Sequence, residues 1–386
     1  MAIADPARTA VLEPVSPESA GIDPVALARL YARIERHIAE GRYPGAAVAL
    51  ARRGKLVAAR TFGLARLAGD GEADRSADAG TMWLLFSQTK PVVSCAIWQL
   101  VERGQLRFHD AVAEYLPDFA RHGKGKVTLH QLLTHQAGFP SAGVPPAAWE
   151  DHALLREAVC DFKPEWEPGA RVVYHSGAAH WVQAALIEAV TGQDYRAYLR
   201  EQITGPLGLD GLRVGVPDAL HGRLAHIYRP GGGGAHQPLA DRNTPAYWRA
   251  GTPGGGGYAT AVDLAAFYQL LLNLGALNGV RILSPRTVQY ATRNHTGERV
   301  DEGTGMPMHR GLGVHVRGVT PAIRGLGSVA SPATFGHGGA GSSYSWADPE
   351  TGVSFSYLTN SQVAEPWHSQ RLDEIAVLAH AAVVEL

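Results

Sequence analysis

A chain of 386 residues with 45% hydrophobic side chains is long enough for two domains or one two-lobed unit, and disorder is excluded as its dominant state. Charged residues make up 18%, and 35 Lys and Arg against 36 Asp and Glu leave a net charge of -1, which excludes the basic field that nucleic-acid binding requires. Two cysteines, Cys95 and Cys160, exclude a disulfide framework, and no apolar run reaches the roughly 18 residues of a transmembrane helix.

The start, Met1-Ala2-Ile3-Ala4-Asp5-Pro6, lacks a basic segment followed by an apolar one. A secretory leader is therefore not expected, and the chain reads as soluble and cytoplasmic, with no membrane partner. Asp23-Pro24 is an N-cap followed by proline at the first helical position, and Leu27, Leu30, Ile34 and Ile38 repeat at helical spacing until Gly41. Ala46 to Ala51 and Leu56 to Phe62 form a predicted hairpin around Arg53-Gly54-Lys55. A second helix is predicted from Ser87 to Arg103, stopped by Gly104. Thr128-Leu129-His130-Gln131 is a capping box that opens a short helix through Leu132 and Leu133. Helices are also predicted from Ala178 to Val190 and from Thr260-Ala261-Val262-Asp263 onward, with Leu264, Phe267 and Leu271 as apolar positions. Near the end, Leu312 to Val316, Ser343 to Ala347 and Val353 to Leu358 alternate as strands, and Asp373 to Val384 closes as an amphipathic helix.

Strands at both ends and helices in the middle predict one α/β layer built from both termini, at about 15–70 and 290–386, carrying a mostly helical lobe at about 71–289. The chain contains 45 glycines and 24 prolines without a repeat, and Gly231 to Gly234 and Gly254 to Gly257 read as loops. Neither has the strand-to-helix setting of a phosphate-binding motif. The segments around 140–165 and 228–258 are expected to shape the substrate pocket.

Lysine is scarce: Lys55, Lys90, Lys124, Lys126 and Lys163 are the five, against 30 arginines. Four of them have polar neighbours and read as surface residues. Lys90 instead lies in Ser87-Gln88-Thr89-Lys90, at the head of the apolar run Val92, Val93, Ala96, Ile97, Leu100 and Val101. Residues three apart share a helix face, so hydroxyl and amine can meet. An amine entering such a core is desolvated, which favours its neutral, basic form. With 17 serines in the chain, roughly 0.2 matches to S-x-x-K arise by chance, so the motif needs company. Company comes from Tyr174-His175-Ser176, which precedes a helix and can aim a phenol into a cleft, and from His337-Gly338-Gly339-Ala340-Gly341 before a strand, whose glycines allow a close approach to backbone.

These motifs, in the order S-x-x-K, Y-x-S, H-G-G, resemble those of the serine β-lactamase and penicillin-binding-protein superfamily, specifically class C β-lactamases and the β-lactamase-like family VIII carboxylesterases. Pro44 to Ala49 with Gly54, Gly104-Gln105-Leu106, Tyr115-Leu116-Pro117, Leu132 to Phe139, and Gly257-Tyr258-Ala259-Thr260 with Asp263-Leu264 extend the resemblance over about residues 15–360. It implies a β-lactamase/transpeptidase-like α/β fold, an antiparallel sheet flanked by helices plus the inserted lobe, in one catalytic unit. It implies that Ser87 is the nucleophile, that Lys90 accepts its proton, and that Tyr174 relays that proton and helps to activate water. Backbone N–H groups of Ser87 and Ala340 would form the oxyanion hole. No metal or organic cofactor is implied.

The chain departs from the lactamase pattern at Ser176, where asparagine is common, and at His337, in place of the lysine of K-T-G. A largely neutral imidazole is a poor anchor for a β-lactam carboxylate. Esters of small to medium acyl chains are thus the expected substrates, with Ser176, His337, Gly338 and Gly339 contacting them and Tyr247 and Trp248 walling the acyl pocket. The same site would also serve a β-lactamase, D-peptidase, amide hydrolase or acyltransferase, and a non-catalytic scaffold is the rival of another class. The pairs His130/His135, His175/His180 and His221/His226 are five apart, off any shared helix face, so no metal site is expected. G-x-S-x-G is absent, and oligomeric state is not legible.

Overall fold

The computed structural model describes residues 11–69, 71–231, 235–321 and 325–385. Met1 to Pro6 and the central Gly232 to Gly234 thus lie outside the described residues. Within them, no helix is long and apolar enough to cross a membrane.

Asp23 caps the first helix, Pro24–Ala39, by accepting from the Val25 N–H. The chain then enters the hairpin of strands Gly45–Arg52 and Lys55–Arg66. Arg53 and Gly54 both have positive φ, 48° and 80°, the geometry of a tight hairpin turn whose second position favours glycine. These strands are joined by Val353–Thr359, Tyr344–Asp348, Phe335–Gly338 and His315–Val316 in one eight-stranded sheet. All these pairings are antiparallel, Val48 opposite Tyr357 and His337 opposite Ser345 among them. One edge departs from the purely antiparallel expectation: Glu13–Pro14 pairs in parallel with Lys55–Arg66.

Gly45–Arg52 is buried along its whole length, because both faces of the sheet are covered. Ala46, Val48 and Leu50 pack with Leu27, Leu30, Ile34, Leu372 and Ile375 of the two terminal helices. Ala47, Ala49 and Ala51 point the other way, into a core shared with Leu264 and Phe267 of the helix Ala261–Leu272. That helix lies on the sheet: Gln269 Nε2 donates to the Ala51 carbonyl at 3.1 Å, and Ser354 Oγ donates to the Ala265 carbonyl at 2.9 Å. It was placed in the helical lobe by its position in the chain, yet it belongs to the α/β layer.

Several boundaries move. The closing helix is Trp367–His380 and starts six residues before Asp373; its start carries no side-chain cap, and the polar run His368 to Arg371 hides the period. Of the run Leu312 to Val316 only His315–Val316 is strand. Gly313 turns at φ 91°, where a Cβ would lie 2.1 Å from Ser94 Oγ. Gly257 is not loop but the first residue of a strand, Gly257–Ala259.

Lys124 is not a surface residue but fully buried. Its Nζ donates to the carbonyls of Arg121, Cys160 and Phe162 at 3.0, 2.8 and 2.6 Å, and burial pulls its pKa below the ordinary lysine range. Lys124→Met leaves three carbonyls without their donor, and urea unfolding is expected to register a loss of about 2–4 kcal/mol. An unchanged midpoint would show that these bonds contribute nothing net.

Candidate active site

The helix Thr89–Glu102 has twelve buried residues among fourteen. A helix apolar on all sides is a core element, and this one is a rigid mount. Trp98 Nε1 ties it to the Leu312 carbonyl at 3.0 Å. Ser87 does not open the helix, as its spacing predicted, but sits in the short 3-10 turn Phe86–Gln88 just before it. Phe86 is held at φ 46°, a costly conformation for a bulky side chain. Leu85 N donates to Gly257 O, and Gly257 N to Thr89 Oγ1, which brace this turn from both sides.

Lys90 is 0% exposed, and its Nζ lies 3.1 Å from Ser87 Oγ. The same nitrogen reaches the carbonyl oxygens of Ser176 at 2.7 Å and Gly254 at 2.6 Å. Desolvation lowers its pKa from the ordinary value; the adjacent Tyr174 opposes that and Arg310 adds to it. A neutral amine has two N–H donors and one lone pair. With both donors committed to the two carbonyls, the lone pair is left for the Ser87 hydroxyl proton.

Tyr174 is oriented through its neighbours. His135, at φ 61°, accepts from Val173 N with its carbonyl and from His175 N with Nδ1 at 3.0 Å. Its ring lies 4.6 Å from that of Tyr174. His175 in turn donates from Nδ1 to Val173 O and accepts from Phe139 N. Burial depresses both imidazoles, His175 to about 4, so both are neutral and able to accept. The Lys90 amine lies 5.1 Å from the Tyr174 ring centroid.

Ser87, Tyr174, Ser176, His337, Gly338, Gly339 and Ala340 all line one cleft of about 780 Å³. His337 and Gly338 are the end of a strand rather than a loop before one. The glycines are required by protein packing, not by substrate: a Cβ on Gly339 would lie 2.6 Å from Leu85 O, and one on Gly338 would meet the Tyr344 ring. This close approach docks the 337–341 turn on the Ser87 turn. Among the described residues, neither the Ser87 nor the Ala340 N–H has a backbone acceptor, as an oxyanion hole requires.

Tyr247 and Trp248 do not line the cleft. They are buried in the helix Pro245–Ala250, in a small core with Met82, Leu84, Phe86 and Tyr258. Tyr247 OH donates to Gly255 O, so this core supports the loop that holds Lys90. Among the described residues, neither segment 140–165 nor segment 228–258 contributes to this lining. The outer walls are instead Thr304, Met306, Met308 and Pro321 on one side and Glu365, His368 and Leu372 of the closing helix region on the other. Two of the four methionines in the chain, Met306 and Met308, are thus in the cleft. His315 was also missed; its ring stacks on His337 at 4.1 Å, and its Nδ1 bonds Tyr344 OH. The signal available was a lone histidine in an apolar strand run.

A surface groove of about 990 Å³ beside Leu154 and Phe162 is larger, but holds none of these groups. Among the described residues, the one group with ligand atoms close enough to hold a cation is His152, Glu188 and Asp194. None of the three lines the cleft, and Asp194 is paired with Arg196.

The Beta-lactamase family profile matches residues 30–380. "Esterase/beta-lactamase LipL" of Mycobacterium tuberculosis is 31% identical over 80% of this chain and 73% of its own length. Among solved structures, a penicillin-binding protein homolog from Caulobacter crescentus superposes with a TM-score of 0.78 at 29% identity, covering 94% of this chain and 99% of its own. A family VIII carboxylesterase superposes with a TM-score of 0.78 at 27% identity, covering 92% and 98%.

Proposed function

This chain belongs to the Beta-lactamase family and is a serine hydrolase, and on that premise we propose that it cleaves carboxylic esters of short to medium acyl chains through an acyl-enzyme. Ser87 Oγ attacks the ester carbonyl as its proton passes to Lys90, and the oxyanion is received by the N–H groups of Ser87 and Ala340. Tyr174, beside the amine, carries the proton onward to the leaving alkoxide. Water then replaces the alcohol, and the same groups reverse their roles to release the acid.

The observation that carries the proposal is the fully buried amine 3.1 Å from a cleft-facing hydroxyl. The choice of ester over lactam is supported by the cleft wall. Its described lining includes no lysine or arginine, while Glu365 and Asp373 stand on its rim. Met306, Met308, Pro321 and Leu372 supply apolar surface for an acyl or alkyl chain. The LipL relative's name covers both activities, so substrate comparison decides. The kcat/KM for p-nitrophenyl butyrate is expected to exceed that for nitrocefin by a factor on the order of 10 to 100, the effect of one missing charge-assisted anchor. Faster nitrocefin turnover would reassign the site to lactams, and ester exchange with added alcohol would reassign it to acyl transfer.

A further inference from the structure

Beside Tyr174, and absent from the cleft lining, is an ion pair that the reaction as written does not use. Arg310 and Asp301 are each 1% exposed and bonded directly to one another. The Arg310 Cζ stands 5.3 Å from the Tyr174 ring centroid, much as the Lys90 amine does at 5.1 Å. The pair is fixed to the Tyr174 segment: Asp301 bridges Val172, and Glu302 N donates to Val172 O at 3.1 Å. Arg310 is fixed in turn by its N–H to Thr296 Oγ1 at 3.1 Å and by a bridge to His315.

Fold stability does not account for such a pair, because desolvating two charges offsets most of their attraction. Its charge does act on its neighbours. Around Lys90 and Tyr174 stand His135, His175 and His180, which burial holds neutral, and His315 and His337 of the sheet. Arg310 adds a permanent positive charge to this group, with Asp301 as its counter-charge.

We propose that Arg310, gripped by Asp301, is a positioning residue for the Lys90–Tyr174 pair, its guanidinium held against the phenol ring on which the amine also lies. This rests on the Ser-Lys-Tyr reading above. A base works deprotonated, so activity is lost as pH falls through the Lys90 ionisation, and Arg310 keeps that limb low, in line with its effect on the amine.

The two partners have opposite charges, so their variants separate the proposal from simple damage. In pH profiles of kcat/KM on p-nitrophenyl butyrate, Arg310→Gln is expected to move the acidic limb to higher pH and Asp301→Asn to lower pH. Each shift should be on the order of one unit, as for a charge several ångströms away in a partly polar interior. Arg310→Lys should return the limb most of the way. An unmoved limb in Asp301→Asn, or the same direction of shift in both variants, overturns the proposal, even should Arg310→Gln fail to fold. Ser87→Ala run alongside keeps the two readings apart: if it is inert while the limbs stay put, only the Arg310 assignment fails, whereas retained turnover would remove the ester-hydrolase reading itself.

Discussion

Ser87→Ala is expected to lower kcat on p-nitrophenyl butyrate by about 10⁴-fold or more, the scale seen when a covalent nucleophile is removed and only binding and oxyanion stabilisation remain. The fold should be untouched, since Ser87 is part-exposed on the cleft and, among the described residues, its Oγ bonds the Lys90 amine alone. A fluorophosphonate should add one mass adduct to the native protein and none to the variant. Labelling that persists in Ser87→Ala would place the nucleophile elsewhere.

Lys90→Met tests the base, and the expected loss in kcat is about 10³-fold, within the usual range for general-base removal. Lys90→Arg should be no better, because a guanidinium does not give up its proton and its planar fork does not fit a cage of two carbonyls and a hydroxyl. Methionine also leaves Ser176 O and Gly254 O without a donor, a cost of about 1–3 kcal/mol each, while relieving the cost of burying an amine. These terms oppose one another, so the thermal midpoint should move far less than the rate. A large loss of stability with a proportionate loss of rate would instead mark Lys90 as a structural strut.

The contrast between Lys90 and Lys124 explains what could be read from the residues alone. Lys90 was legible because its serine partner is only three positions earlier, in the turn that leads into the helix, so local geometry brings them together. Lys124 is just as buried, but its three acceptors are main-chain carbonyls contributed partly by Cys160 and Phe162, which no side-chain pattern reports. Arg310 was illegible for the same reason: its meaning depends on Asp301 and Tyr174, which only the folded chain brings together. The capped helices and the hairpin were legible because Asp23, Thr128 and Thr260 act on residues two or three along the chain. Tyr247 and Trp248 misled because aromatic residues beside a glycine loop look alike whether they face a ligand or a core. The cleft wall at Met306 and Met308 was hidden in a segment without periodicity.

An interior strand of the sheet, Gly45–Arg52, pairs on one side with Val353–Thr359, some three hundred positions later in the chain. Ile22 likewise bridges Val383. As the polypeptide leaves the ribosome, the first hairpin therefore waits with a bare apolar edge until nearly everything else has been made. Such distant pairing makes for slow assembly and gives chaperones time to act. It also places residues 22 and 383 side by side, so the two terminal helices are stitched together only when the last segment of the chain has been made.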